Sequence, residues 1–241
     1  MRSVIRRAGP VHPSPPWRFR SVLAALALAA PVALPAAGTT ASAATGAPRA
    51  VAVRGGDVLY RAGGQCTVAF NARAGAVHYA VMPGHCAEPG TTWYADPART
   101  VLAGTTAGAS FPGNDYGFVR YTGTAVTHPG EVSLRNGTVR DITGAANPSV
   151  GQSLCHVGRV TGLRCGTVTG VNLTVHYPEG TVNGLFRSTI CSEPGDTGGP
   201  AFAGTTALGF IVGAGGNCAT GGTTYYQPIA EVLAAYGLTL Y

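Results

Sequence analysis

From Val53 onward, short runs of apolar, β-branched and aromatic residues recur between clusters of Gly, Pro, Asn and Asp. This is the pattern of strands joined by turns. Strands are expected at 66–70, 77–81, 92–94 and 116–121, and in a second series at 166–177, 185–189, 208–213 and 223–227. In the longest of these, Val171, Leu173, Val175 and Tyr177 alternate with Asn172, Thr174 and His176, the period of a half-buried strand. A polar stretch at 122–147 separates the two series. Only one segment has helical spacing. Ile229, Val232, Leu233 and Tyr236 fall at i, i+3, i+4 and i+7, with Pro228 before them and Gly237 after. The pattern predicts an all-β protein of two halves, 53–135 and 136–241, closed by a C-terminal helix.

Composition agrees with that reading. The 241 residues include 36 Gly and 17 Pro, too many helix breakers for a helical bundle. With 45% apolar and only 11% charged residues, the chain is too hydrophobic to stay disordered.

The formal charge of +6 resides mainly in the first 43 residues, which carry five of the 16 Arg and no acid. Arg2, Arg6, Arg7, Arg18 and Arg20 precede an Ala/Leu/Val run at 21–38, and Ala41-Ser42-Ala43 supplies a small-x-small cleavage site. The segment reads as an export signal. As a membrane anchor the run is shorter than the roughly 20 residues that span a bilayer, and Pro31 and Pro35 interrupt it. Without it, 11 Arg face 10 acids, and no basic patch remains to suggest nucleic acid. Residues 44–52 read as a short unstructured leader.

An exported chain with an even number of cysteines is expected to form disulfides. Their spacing falls into three local couples: Cys66 with Cys86, Cys155 with Cys165, and Cys191 with Cys218. A zinc site would need Cys-x-x-Cys or ligand-spaced histidines, and neither occurs.

Three segments carry candidate chemistry. Pro83-Gly84-His85-Cys86 sets a histidine beside a cysteine, and Asn114-Asp115-Tyr116-Gly117 sets a carboxylate at the start of a strand. Cys191-Ser192-Glu193-Pro194-Gly195-Asp196-Thr197-Gly198-Gly199-Pro200 is a glycine-rich turn containing a hydroxyl. Together with Phe111-Pro112-Gly113 and Gly221-Gly222-Thr223-Thr224, these segments resemble the chymotrypsin-fold S1 peptidases. The similarity is to the bacterial secreted branch that includes Streptomyces griseus proteases A and B and alpha-lytic protease, and it extends from about Val53 to Tyr241.

The resemblance implies two six-stranded antiparallel β-barrels and an acyl-enzyme mechanism. His85 would be general base and then acid, Asp115 would orient it, and Thr197 would stand in the nucleophile position. The N–H groups of Gly195 and Thr197 would form the oxyanion hole, shaped by Asp196. Val212, Gly213 and Ala214 would bind substrate backbone as an edge strand, opposite Ser192 to Gly195. His78, His128, His156 and His176 lack comparable surroundings and read as structural or surface residues. The implied partner is a peptide or protein substrate, met by a monomer outside the cell, with no cofactor, metal, nucleic acid or membrane.

Several positions depart from the family. Thr197 stands where the family has Ser, and its added methyl restricts χ1. Val212 replaces a Ser whose hydroxyl supports the triad carboxylate, Pro83 replaces a small Ala, and His156 replaces an Arg that pairs with the Asp of the nucleophile turn. Ala214 replaces a Gly at the pocket entrance, and residues 44–52 alone stand where the branch carries a long pro-region. Two outcomes follow: an endopeptidase with a poor nucleophile, or a non-catalytic homologue that retains the cleft.

Overall fold

The computed structural model describes residues 49–241. The expected export signal at 1–43 and the first part of the leader lie outside the described residues. Val51 and Ala52, expected to be unstructured, instead pair in parallel with Val126 and Thr127. The chain thus enters the fold two residues before Val53.

The described residues form two β-barrel-like sheets and one C-terminal helix. The first sheet runs in the order Thr239–Leu240, Phe70–Ala74, Val77–Met82, Tyr116–Tyr121, Leu102–Ser110, Thr92–Tyr94, Val58–Arg61, Gly64–Thr67. Its eight strands exceed the six expected. The extra edge strand Thr239–Leu240 belongs to the far end of the chain, which returns to pair with Ala72 and Arg73. The second sheet contains a closed ring of six: Thr206–Asn217, Pro200–Ala203, Ser153–Gly158, Gly162–Tyr177, Gly180–Ser188 and Gly221–Pro228, which pairs back onto Thr206–Asn217. A short strand, Gly144–Ala145, adds a seventh member in parallel.

The boundary expected at 135/136 falls at the tip of a hairpin between Glu131–Ser133 and Val139–Asp141, where Arg135 takes a φ of 61°. The expected strand at 66–70 is two strands. Between them Val68 donates to the Asp57 carbonyl and Ala69 to that of Val81, so the chain changes partners while remaining fully buried. A continuous apolar run conceals such a corner.

The alternation at 173–177 survives, with Leu173, Val175 and Tyr177 half-buried and Thr174 and His176 exposed. Val171 breaks it and is 38% exposed. A register shift between Gly170 and Leu173, with Asn172 at φ 54°, turns its side chain outward.

The helix is Ile229–Tyr236, with Pro228 at its N-cap and Gly237 in the left-handed conformation after it. Ile229 and Val232 are buried. Tyr236 is 45% exposed, yet its ring meets Phe118 edge-on at 4.3 Å and Tyr116 at 5.8 Å, so it spans to the first sheet. Each sheet has its own core, around Leu59 and Trp93 in the first and around Leu208 and Tyr226 in the second. A third cluster joins Phe70, Val81 and Phe118 to Leu185 and Phe210 across the seam. All six cysteines form the three local disulfides, so none remains as a thiolate ligand.

Trp93 fills the centre of the first barrel at 0% exposure and donates its indole N–H to Thr106 at 2.8 Å. Trp93→Ala is expected to cost about 3 to 5 kcal/mol through the cavity it opens. Urea unfolding with the disulfides intact measures this as a lower midpoint at unchanged slope.

Candidate active site

His85 lies in a single 3₁₀ turn, Gly84–Cys86, entered from Pro83 at φ −59° and ψ 143°. These are angles that proline adopts without strain, so Pro83 fits its position. The Cys66–Cys86 disulfide ties the turn to the strand Gly64–Thr67. Asp115 immediately precedes the strand Tyr116–Tyr121 and is 1% exposed. Its Oδ1 accepts from the His85 backbone N–H at 2.9 Å, and the His85 Nδ1 lies 2.8 Å from its Oδ2. Ring and backbone are thus held by one carboxylate, which leaves Nε2 as the free nitrogen.

Gln227 was not singled out in the sequence. Its Oε1 accepts the backbone N–H of Asp115 at 2.9 Å, while its Nε2 donates to Glu231 of the helix. Asp115 is therefore positioned from both halves. Val212 offers its carboxylate no hydroxyl, and His85 is its side-chain partner among the described residues.

The glycine turn is organised by Asp196, which is fully buried. Its carboxylate accepts from the N–H groups of Glu193, Val160 and Thr161 and from the Thr161 hydroxyl, at 2.7 to 3.1 Å. Burial raises the pKa of this carboxyl, but those donors outweigh it and hold it below the usual carboxylate value. The Arg expected from the family is replaced by neutral donors. Within the turn, Gly195 has a φ of 101° and Gly198 of 87°. A Cβ at Gly198 would also meet the Thr67 carbonyl at 2.5 Å. Among the described residues, the N–H groups of Gly195 and Thr197 donate no hydrogen bond within the chain. Both remain available to an incoming oxygen.

Thr197 is half-buried and borders a cavity of about 300 Å³ together with His85 and Gly195. No hydrogen bond joins its hydroxyl to His85 in the described residues. A second cavity of about 410 Å³ lies on the other flank of His85, bounded by Phe111, Asp115, Tyr177, Glu179 and Val212. Tyr177 and Phe111 entered the sequence reading only as a strand position and as part of a motif, with no site role. The Tyr177 hydroxyl is buried without a partner among the described residues and sits against Gly213, and burial together with the nearby Asp115 charge pushes its pKa up to about 12.

Val212 occupies a bulge between Ile211 and Gly213 in the strand Thr206–Asn217. Gly213 and Ala214 pair with Tyr225 and Thr224 on one side. On the other, the neighbouring strand ends opposite Phe210, so the edge at 212–214 is open. Across from it, Ser192 accepts from the Thr224 hydroxyl, and Glu193 accepts the Cys218 N–H.

A family model described as Trypsin matches residues 102–235, more than half of the chain. Serine protease 2 of Streptomyces fradiae is 50% identical over 175 residues, spanning 71% of this chain and 100% of that protein. The chain belongs to the trypsin family of serine proteases. Streptogrisin-A of Streptomyces griseus is 45% identical over 189 residues, 78% of this chain and 61% of its own length. Among solved structures, alpha-lytic protease homolog N4 superposes with a TM-score of 0.74 at 55% identity, covering 79% of this chain and 100% of that one.

His156 is fully buried, its Nδ1 is 2.8 Å from the Tyr226 hydroxyl, and its Nε2 has no partner among the described residues. Burial lowers its pKa to about 4; the Asp196 charge opposes this and Arg164 adds to it. The folded value lies below the unfolded one of about 6.5, so between pH 6.5 and 4 the unfolded chain takes up a proton that the folded chain refuses. Stability from this group is complete above pH 6.5 and falls by about 3 kcal/mol as the pH drops to 4. His156→Gln is expected to flatten that part of the pH profile of the urea midpoint. Asp196, whose pKa lies below 3.8, loses its contribution only at lower pH.

Proposed function

We propose that this chain is a secreted endopeptidase of the trypsin family that hydrolyses peptide bonds with Thr197 as a slow nucleophile. The observation that carries the reading is the pair of unused N–H groups at Gly195 and Thr197, beside a His85 already oriented by Asp115. In this mechanism the Thr197 hydroxyl attacks the scissile carbonyl carbon and His85 Nε2 takes its proton. The carbonyl oxygen, now negative, accepts from Gly195 and Thr197, donors that need no rearrangement as charge develops. Collapse passes the proton from His85 to the leaving amine, and water then releases the acyl group by the same steps. No step is routed through a cofactor.

The slowness comes from the methyl of Thr197. Three substituents on Cβ limit χ1, and holding Oγ1 away from a preferred rotamer costs about 0.5 to 1.5 kcal/mol. Residues 1–43 as an export signal would place the protein outside the cell, an oxidising setting that suits three disulfides. Substrate backbone would add to the open edge at Val212, Gly213 and Ala214 of a monomer.

The missing hydrogen bond between Thr197 and His85, and the missing hydroxyl at Val212, favour a second reading: a cleft that binds peptide without turning it over. Thr197→Ser and Thr197→Ala separate the two. If Thr197 reacts, Thr197→Ser raises kcat on a mixed peptide library about two- to tenfold, the rate equivalent of that rotamer cost. Thr197→Ala then lies below wild type. Wild type equal to Thr197→Ala, with Thr197→Ser active, selects the binding reading.

A further inference from the structure

We propose that the groove beyond Thr197 selects peptides that carry acidic residues after the scissile bond, with Arg159 and Arg61 as the specificity-determining cations. The inference rests on the peptide-cleaving reading of the same site and names the substrate class.

A peptide whose carbonyl oxygen faces Gly195 and Thr197, and whose preceding residues lie along 212–214, must run onward into the cavity bordered by the Cys66–Cys86 disulfide. The two flanks of His85 differ in charge. The flank beside the open edge carries Asp115, engaged by His85, and Glu179, with no cation among its bounding residues. The onward flank carries Arg61, Gln65 and Arg159 and no acid. A third cavity of about 470 Å³ shares Arg61 and adds Arg99, with Glu88 as its one acid. The basic lining therefore continues away from the reacting atoms.

These guanidinium groups are scarcely neutralised. Arg159 is exposed, and among the described residues it forms no ion pair and no side-chain hydrogen bond. It stands next to the candidate oxyanion donor, since a Cβ built on Gly195 would lie 2.6 Å from its Nη2. Arg61 lies 5.8 Å above the Trp93 ring, which fixes its stem, and meets Glu88 only at 3.9 Å, where that carboxylate is 75% exposed. A carboxylate entering here gains the unpaired fork of Arg159 and, at Arg61, competes only with the exposed Glu88. Basic residues in the same place would meet like charge.

The test uses matched fluorescent octapeptides that differ only after the intended scissile bond, Glu-Glu against Lys-Lys. Their binding to Thr197→Ala is read by anisotropy, and their kcat/KM with Thr197→Ser by product analysis. The Glu-Glu peptide is expected to be favoured about tenfold in low salt, from contributions of up to about fivefold per exposed pair, with the ratio shrinking as salt rises. Arg159→Gln should lower the ratio and Arg159→Glu should invert it, with the thermal midpoint unchanged because Arg159 holds nothing in the fold. Equal binding and cleavage of both peptides overturns the acidic selection while leaving the peptide cleft standing. A ratio indifferent to Arg159→Glu and Arg61→Gln overturns it too. If neither peptide is bound or cleaved by either folded variant, the cleavage reading fails and this inference falls with it.

Discussion

The carboxylate of Asp115 is a buried charge in the seam between two sheets, and so much converges on it that its satisfaction constrains both. A carboxylate removed from water is costly unless it is hydrogen-bonded, and here His85 supplies both a backbone and a ring donor. The backbone N–H of Asp115 donates to Gln227, which is in turn tied to Glu231. Two residues earlier, Gly113 exchanges hydrogen bonds with the strand Gly180–Ser188. The strand leading away from Asp115 then packs Tyr116 and Phe118 against Tyr236 of the helix. The pairing of His85 with Asp115 is thus a property of how the two halves meet, although both residues come from the first.

Asp196 meets the same difficulty without a partner charge. Four neutral donors converge on it, and in accepting from Val160, Thr161 and Glu193 it fixes the turn that leaves Gly195 and Thr197 with free N–H groups. With His156 at the position where the resemblance implies an Arg, the turn is held by neutral donors. The histidine is instead engaged with Tyr226, itself bonded to Ser188. Thr197 is the position where this economy is strained. The turn leaves the Gly195 and Thr197 N–H groups unpaired among the described residues, while the Thr197 side chain carries a methyl and makes no hydrogen bond to His85.

The legible parts of the fold were those with a local cause. The helix is bounded where Pro228 and Gly237 say it should be, because a missing N–H and a left-handed φ act within one residue of themselves. The three disulfides join nearest neighbours in sequence. Strands without alternation were missed: Leu102–Ser110 is rich in Gly and Ala, and Ser153–Gly158 and Pro200–Ala203 bury consecutive residues instead of every second one. The partner change at Val68 and Ala69 and the bulge at Val171 and Asn172 leave no periodic trace, because register depends on the strand opposite.

At the site the division is the same. The identities of His85, Asp115 and Thr197, and the glycines that allow the turn, are matters of residue type and local spacing, so the chain alone pointed to the family and to a Thr at position 197. Tyr177, Gln227 and Arg159 acquire their places only when the second barrel closes, since each acts on residues far away in the chain. The tertiary structure alone decided that the Gly195 and Thr197 N–H groups are unpaired among the described residues, that neutral donors satisfy Asp196, and that the two flanks of His85 differ in charge. These depend on distances between residues that no local spacing encodes.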